Sequence, residues 1–93
     1  MTIGILKLFL FIPQSNSLKE KRMILNSFKQ KMRNNFNVSI TSLDEEDKWQ
    51  KEVLAVVCVG NNSRAVSQLL TAVVNFAEDF NHLQLLDYSL ELI

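Results

Sequence analysis

Apolar and polar residues alternate along the chain with two periods, and the switches between them mark six elements. Ile3 to Ile12 is apolar except at Gly4 and Lys7, and Pro13 closes the run. That pattern predicts a strand over 2–12, buried on both faces. Ser17-Leu18-Lys19-Glu20 is a capping box, in which Ser17 and Glu20 satisfy backbone donors reciprocally. Leu18, Ile24, Leu25, Phe28, Met32 and Phe36 follow on one stripe at helical spacing, and Asn34-Asn35 suits the helix exit. Residues 37–43 alternate, with Val38 and Ile40 on one face, as a half-buried strand does.

Asp44-Glu45-Glu46-Asp47 reads as a solvated turn, and residues 48–59 as a second long strand, apolar throughout from Val53 to Val59. Gly60-Asn61-Asn62-Ser63 carries turn and N-cap chemistry. Val66, Leu69, Leu70, Val73, Phe76, Ala77 and Phe80 then give a wide helical face, followed by Asn81-His82. In the last strand Leu86, Tyr88, Leu90 and Leu92 are expected inward, with Asp87, Ser89 and Glu91 outward.

The order βαββαβ is the ferredoxin-like, α+β plan, a split βαβ. The two nearly continuous apolar strands belong in the centre and the half-polar ones at the edges. The expected antiparallel sheet order is 4-1-3-2, with two helices on one face. The other face is left open, with Ile3, Ile5, Phe9, Phe11 and Trp49 as candidate interface residues. Large apolar patches are uncommon on monomers, so a cover is expected. A homodimer through the sheet is the simplest; a partner protein or a nucleic acid are the alternatives.

Length and composition narrow the classes. Ninety-three residues, 47% of them hydrophobic, make one domain over 1–93 with no linker or repeat. A single Cys forms no internal disulfide, which suits a cytoplasmic protein. The apolar N-terminal run lacks the flanks of a signal peptide and is too short to span a membrane. With Gly only at positions 4 and 60, no dinucleotide fingerprint or phosphate loop can be written.

Net charge is zero, yet it is segregated: residues 1–35 sum to plus six and the rest to minus six. The first helix holds Lys19, Lys21, Arg22, Lys29, Lys31 and Arg33 against Glu20 alone. Lys19, Arg22, Asn26, Lys29 and Arg33 recur at steps of three and four, forming a ridge. Three cations near a helix N-terminus oppose the macrodipole by a few tenths of a kcal/mol each. A ridge placed against local preference points to a polyanion such as RNA, with Lys19, Lys21, Arg22, Asn26, Lys29 and Arg33 as the candidate site. The competing reading is internal: Glu78 and Asp79 at the end of the second helix, and the acidic turn, neutralise the ridge.

Other chemistry is sparse. Cys58 lies in an apolar strand, where a thiol behaves as a small hydrophobe. His82 has no further metal ligands that can be placed beside it. Phe9 and Phe11 share a face, but no RNP1 sequence accompanies them. The loop after the first strand lacks the Gly and Arg of acylphosphatases and the paired Cys of heavy-metal-associated domains.

Taken together, Phe11-Ile12-Pro13, Ser17-Leu18-Lys19-Glu20-Lys21-Arg22, Phe36-Asn37-Val38-Ser39-Ile40 and Asp47-Lys48-Trp49-Gln50 resemble the YlxP-like family of bacterial proteins, a domain of unknown function. The resemblance covers essentially the whole chain. It implies a ferredoxin-like fold, a cytoplasmic location and genes often found among those for translation factors and ribosome maturation. It carries no activity, cofactor or catalytic residue. The family's Lys-x-Lys-Arg matches Lys19, Lys21 and Arg22, whereas Thr41-Ser42-Leu43 replaces the acidic residue that members typically carry there. The expectation is a non-enzymatic accessory factor that contacts RNA or the ribosome through its first helix. The rivals are a protein-interaction or homodimerisation module, and an enzyme using the turn carboxylates or Cys58.

Overall fold

The computed structural model describes residues 1–13, 15–43 and 50–93. It orders β1 (Thr2–Phe11), α1 (Leu18–Asn35), β2 (Ser39–Ser42), β3 (Lys51–Gly60), α2 (Ser63–Asp79) and β4 (Gln84–Leu92). The four strands pair antiparallel as β2-β3-β1-β4, the expected order read from its other edge. The fold is the ferredoxin-like α+β plan, and no described helix is long and apolar enough to cross a membrane.

Alternation along the strands sorts side chains between two unequal environments. Leu6, Leu8, Leu10 and Ile12 of β1 and its extension are buried under the helices, as are Leu54, Val56 and Cys58 of β3. Ile3, Ile5, Phe9 and Phe11 point the other way and are only half-buried, while Lys7 is exposed. Burial of β1 on both faces therefore holds on the helix side alone, because the single chain supplies no second layer.

α1 starts where Ser17 Oγ accepts from the Glu20 N–H (3.2 Å). The capping box closes one residue earlier than the motif predicts: Glu20 Oε2 accepts from the Asn16 N–H at 2.8 Å. Asn62 caps α2, its Oδ1 accepting from the Ala65 N–H at 2.9 Å. Phe28 of α1 lies 4.9 Å from the ring of Phe80 and 5.9 Å from that of Phe76, fastening the helices together.

Both glycines serve that packing. A Cβ on Gly4 would stand 2.5 Å from Val66 Cγ1 and 2.6 Å from Leu70 Cδ1, and one on Gly60 would stand 2.8 Å from Val66 Cγ2. α2 thus lies closer to the sheet than any side chain at these positions would allow.

In β4 the pairing with β1 shifts between Phe9 and Leu10, which face Asp87 and Leu85, so Leu86 is the extra residue of a bulge. Leu86 is 57% exposed, and Tyr88 and Leu92 are exposed too, so of the four residues expected inward only Leu90 packs against the core. Leu83 and Leu85 supply the core contacts at this end instead.

Candidate nucleic-acid interface

The helical period places the ridge of α1 on a face away from the core. Lys19, Arg22, Asn26 and Arg33 are exposed, and Lys29 is half-buried. The far end of the ridge leans on the β2 edge. There Lys29 Nζ donates to Ser42 Oγ at 3.2 Å, and an Arg33 guanidinium nitrogen donates to the Ile40 carbonyl at 3.4 Å. Neither acceptor is a carboxylate.

Lys21 departs from the expectation. It belongs with Leu25, Phe28 and Met32 on the buried stripe of α1, and its ammonium lies 3.7 Å from Glu52 Oε2. Both side chains are nearly sealed, at 6% and 7% exposure. Lys21 is therefore no part of an exposed surface. Ser42 Oγ also reaches Glu52 Oε2 at 3.5 Å, so Lys21, Glu52, Ser42 and Lys29 form one chain of polar contacts from core to ridge.

Glu52 and Ser42 carry this arrangement, and neither stood out in the sequence. The signal was there: Lys21 precedes Leu25, Phe28 and Met32 at helical spacing, and Glu52 shares its strand face with Leu54, Val56 and Cys58. A charged residue on each buried stripe marks a pair, because an isolated buried charge is not tolerated.

Of the acids proposed to neutralise the ridge, Asp79 lies in a groove beside it. α1 and the end of α2 run side by side, and Asp79 lines a groove of about 540 Å³ with Met23, Ser27, Lys31, Phe80 and His82. Met23 and Ser27 sit roughly 100° round the helix axis from Arg22 and Asn26. Lys31 spends part of its charge there, its Nζ 5.3 Å from the centre of the Phe80 ring. Glu20, the lone acid of α1, is turned onto the Asn16 N–H. Among the described residues the only ion pair is Lys21–Glu52. The acidic turn 44–47 and Trp49 lie outside the described residues.

The remaining candidates are brought nowhere near one another. Cys58 is buried beneath α2; burial pushes its thiol pKa up, partly offset by a backbone hydrogen bond at Gly4. His82 occupies the turn before β4 with φ of 72°. Among the described residues, no three His, Cys, Asp or Glu side chains gather as metal ligands would. Ile3, Ile5, Phe9 and Phe11 share the sheet face opposite the helices.

Residues 3–90 match the family model described as "Protein of unknown function (DUF503)". The chain is 29% identical over 82 residues to the "Uncharacterized protein YlxP" of Bacillus subtilis (strain 168), covering 88% of this chain and 89% of that one. Among solved structures, a de novo designed protein, Ferredog-Diesel, aligns with 98% of this chain and 84% of its own at 14% identity, with a TM-score of 0.45.

Proposed function

The chain belongs to the family described as "Protein of unknown function (DUF503)", and from that premise we propose that it is a non-enzymatic accessory factor that contacts RNA or the ribosome through the ridge of α1. One observation carries the reading. Lys19, Arg22, Lys29 and Arg33 line one side of an 18-residue helix, and none pairs with a described carboxylate. A surface that only kept the protein soluble would interleave acids at i±4, each pair contributing about 0.2–0.5 kcal/mol. The ridge forgoes that stabilisation.

The chemistry suits a phosphate backbone more than bases. The helix is about 27 Å long, comparable to eight base-pair steps of duplex DNA at about 3.4 Å each, so it can follow a run of backbone phosphates. Its ridge presents two guanidinium groups for bidentate phosphate contact, two ammonium groups and one amide, without an aromatic platform for stacking. Structured, double-stranded RNA is the fitting class.

Titration of a labelled RNA hairpin against salt tests this. Four phosphate contacts give a slope of log Kobs on log salt of roughly −3 to −4. Arg22→Glu/Arg33→Glu should lower affinity at least tenfold and flatten the slope. Absence of salt-sensitive binding by the wild type near physiological ionic strength overturns the reading.

A further inference from the structure

The sheet face opposite the helices is laid out in rows by the strand register. Ser39, Val57, Ile5 and Glu91 form one row across the four strands, and Thr41, Ala55, Lys7 and Ser89 form the next. Ile3 and Val59 extend the face on one side of Lys7; Phe9, Phe11 and Val53 extend it on the other. Its four described charges, Lys7, Lys51, Asp87 and Glu91, cancel. A polyanion gains nothing from such a face.

We propose that this face is covered by a second copy of the chain, stacked sheet on sheet about a two-fold axis that runs along the strands between β1 and β3. Three features fit that operator. It lays β1 of one protomer over β3 of its partner row by row, so the long Lys7 side chain meets the smallest residue of the face, Ala55. Phe9 likewise lies over Val53. It also lays β4 over β2, bringing Glu91 to the hydroxyl of Ser39, where a donor meets a carboxylate.

Sheets packed this way diverge by about 30° through their twist, so the middle rows carry the contact. Strands about 4.8 Å apart rising about 3.3 Å per residue give up to about 600 Å² of face per protomer. The pair buries up to about 1,200 Å², the lower end for specific interfaces. This inference stands independently of the RNA reading; it would display the two α1 ridges on opposite outer sides of the dimer.

Sedimentation equilibrium of the full chain, from micromolar to submillimolar concentration, tests it. The wild type should approach twice the 10.7 kDa chain mass. Phe9→Asp should sediment as a monomer with an unchanged circular dichroism spectrum. Ser39 is exposed on an edge strand, so its variants leave the fold intact and carry a sign. At low salt Ser39→Lys should tighten the dimer several-fold and Ser39→Glu should weaken it several-fold, through Glu91 of the opposite protomer. A wild type that stays monomeric throughout overturns the proposal. So does a dimer indifferent to both Ser39 variants, or one that survives Phe9→Asp but is lost in Tyr88→Lys, which would mean pairing along the β4 edge.

Discussion

Lys21 of α1 and Glu52 of β3 meet at 3.7 Å in the one described ion pair, and both are buried. The pair pins the first turn of α1 to the sheet beside Ser42. Removing one partner leaves a charge stranded, which costs about 3–5 kcal/mol, whereas replacing both with apolar groups is often neutral. Lys21→Met should therefore destabilise the protein by about 3 kcal/mol or more, and Lys21→Met/Glu52→Leu should recover most of the loss. Urea denaturation of the two variants and of Glu52→Leu closes the double-mutant cycle; additive losses would show that the two side chains act independently.

Gly4 sits where α2 crosses β1, with Val66 and Leu70 occupying the space a Cβ needs. Gly4→Ala should overpack this contact and cost about 1–3 kcal/mol. On a chain of this size that lowers Tm by roughly 4–8 °C per kcal/mol, readable by calorimetry. An unchanged Tm would mean that α2 shifts freely on the sheet.

The Cys58 thiol is buried and its pKa is raised by that burial. In the native protein it should resist a disulfide reagent at neutral pH and react at once in denaturant. The sign of its pH dependence follows from linkage. The unfolded thiol ionises near pH 8.5, while the native one stays protonated to higher pH. Stability is thus fully present below about pH 8.5 and falls as pH rises toward the native pKa. Cys58→Ala should lose this decline, and an identical pH profile for the variant would exclude the thiol as its source.

The bulge in β4 makes Leu85 and Leu86 unequal neighbours. Leu85 packs against the core, whereas Leu86 is exposed. Leu85→Ala should cost about 2 kcal/mol and Leu86→Ala less than 0.5 kcal/mol, roughly the values for core truncation and for surface change. Equal losses would place Leu86 inward, as plain alternation predicts.

Much of the architecture was legible without coordinates. Near-continuous apolar runs against alternating ones separated central from edge strands, and the capping box at Ser17 and the turn chemistry of Gly60-Asn61-Asn62-Ser63 bracketed both helix starts. The exposure of Lys19, Arg22 and Arg33 follows from the period of 3.6 alone, whereas β1, whose apolar run reads as buried on both faces, is buried on the helix side only. Lys21 shows the limit of reading charge by proximity. Grouped with its basic neighbours it looks like surface, while its spacing from Leu25 and Phe28 puts it in the core. Leu86 shows the limit of reading alternation, since one inserted residue turns the remainder of a strand over and leaves no mark in composition.

Local spacing alone specifies the order of elements, the strand order and which stripe of each helix faces inward. The meeting of Lys21 with Glu52, the place of Asp79 in the groove beside Lys31 and the seating of Val66 on two glycines arise only in the folded chain. Those outcomes depend on where residues from distant elements arrive in space. That is set by the summed packing of helices on sheet, which the periodicity of a single segment does not specify.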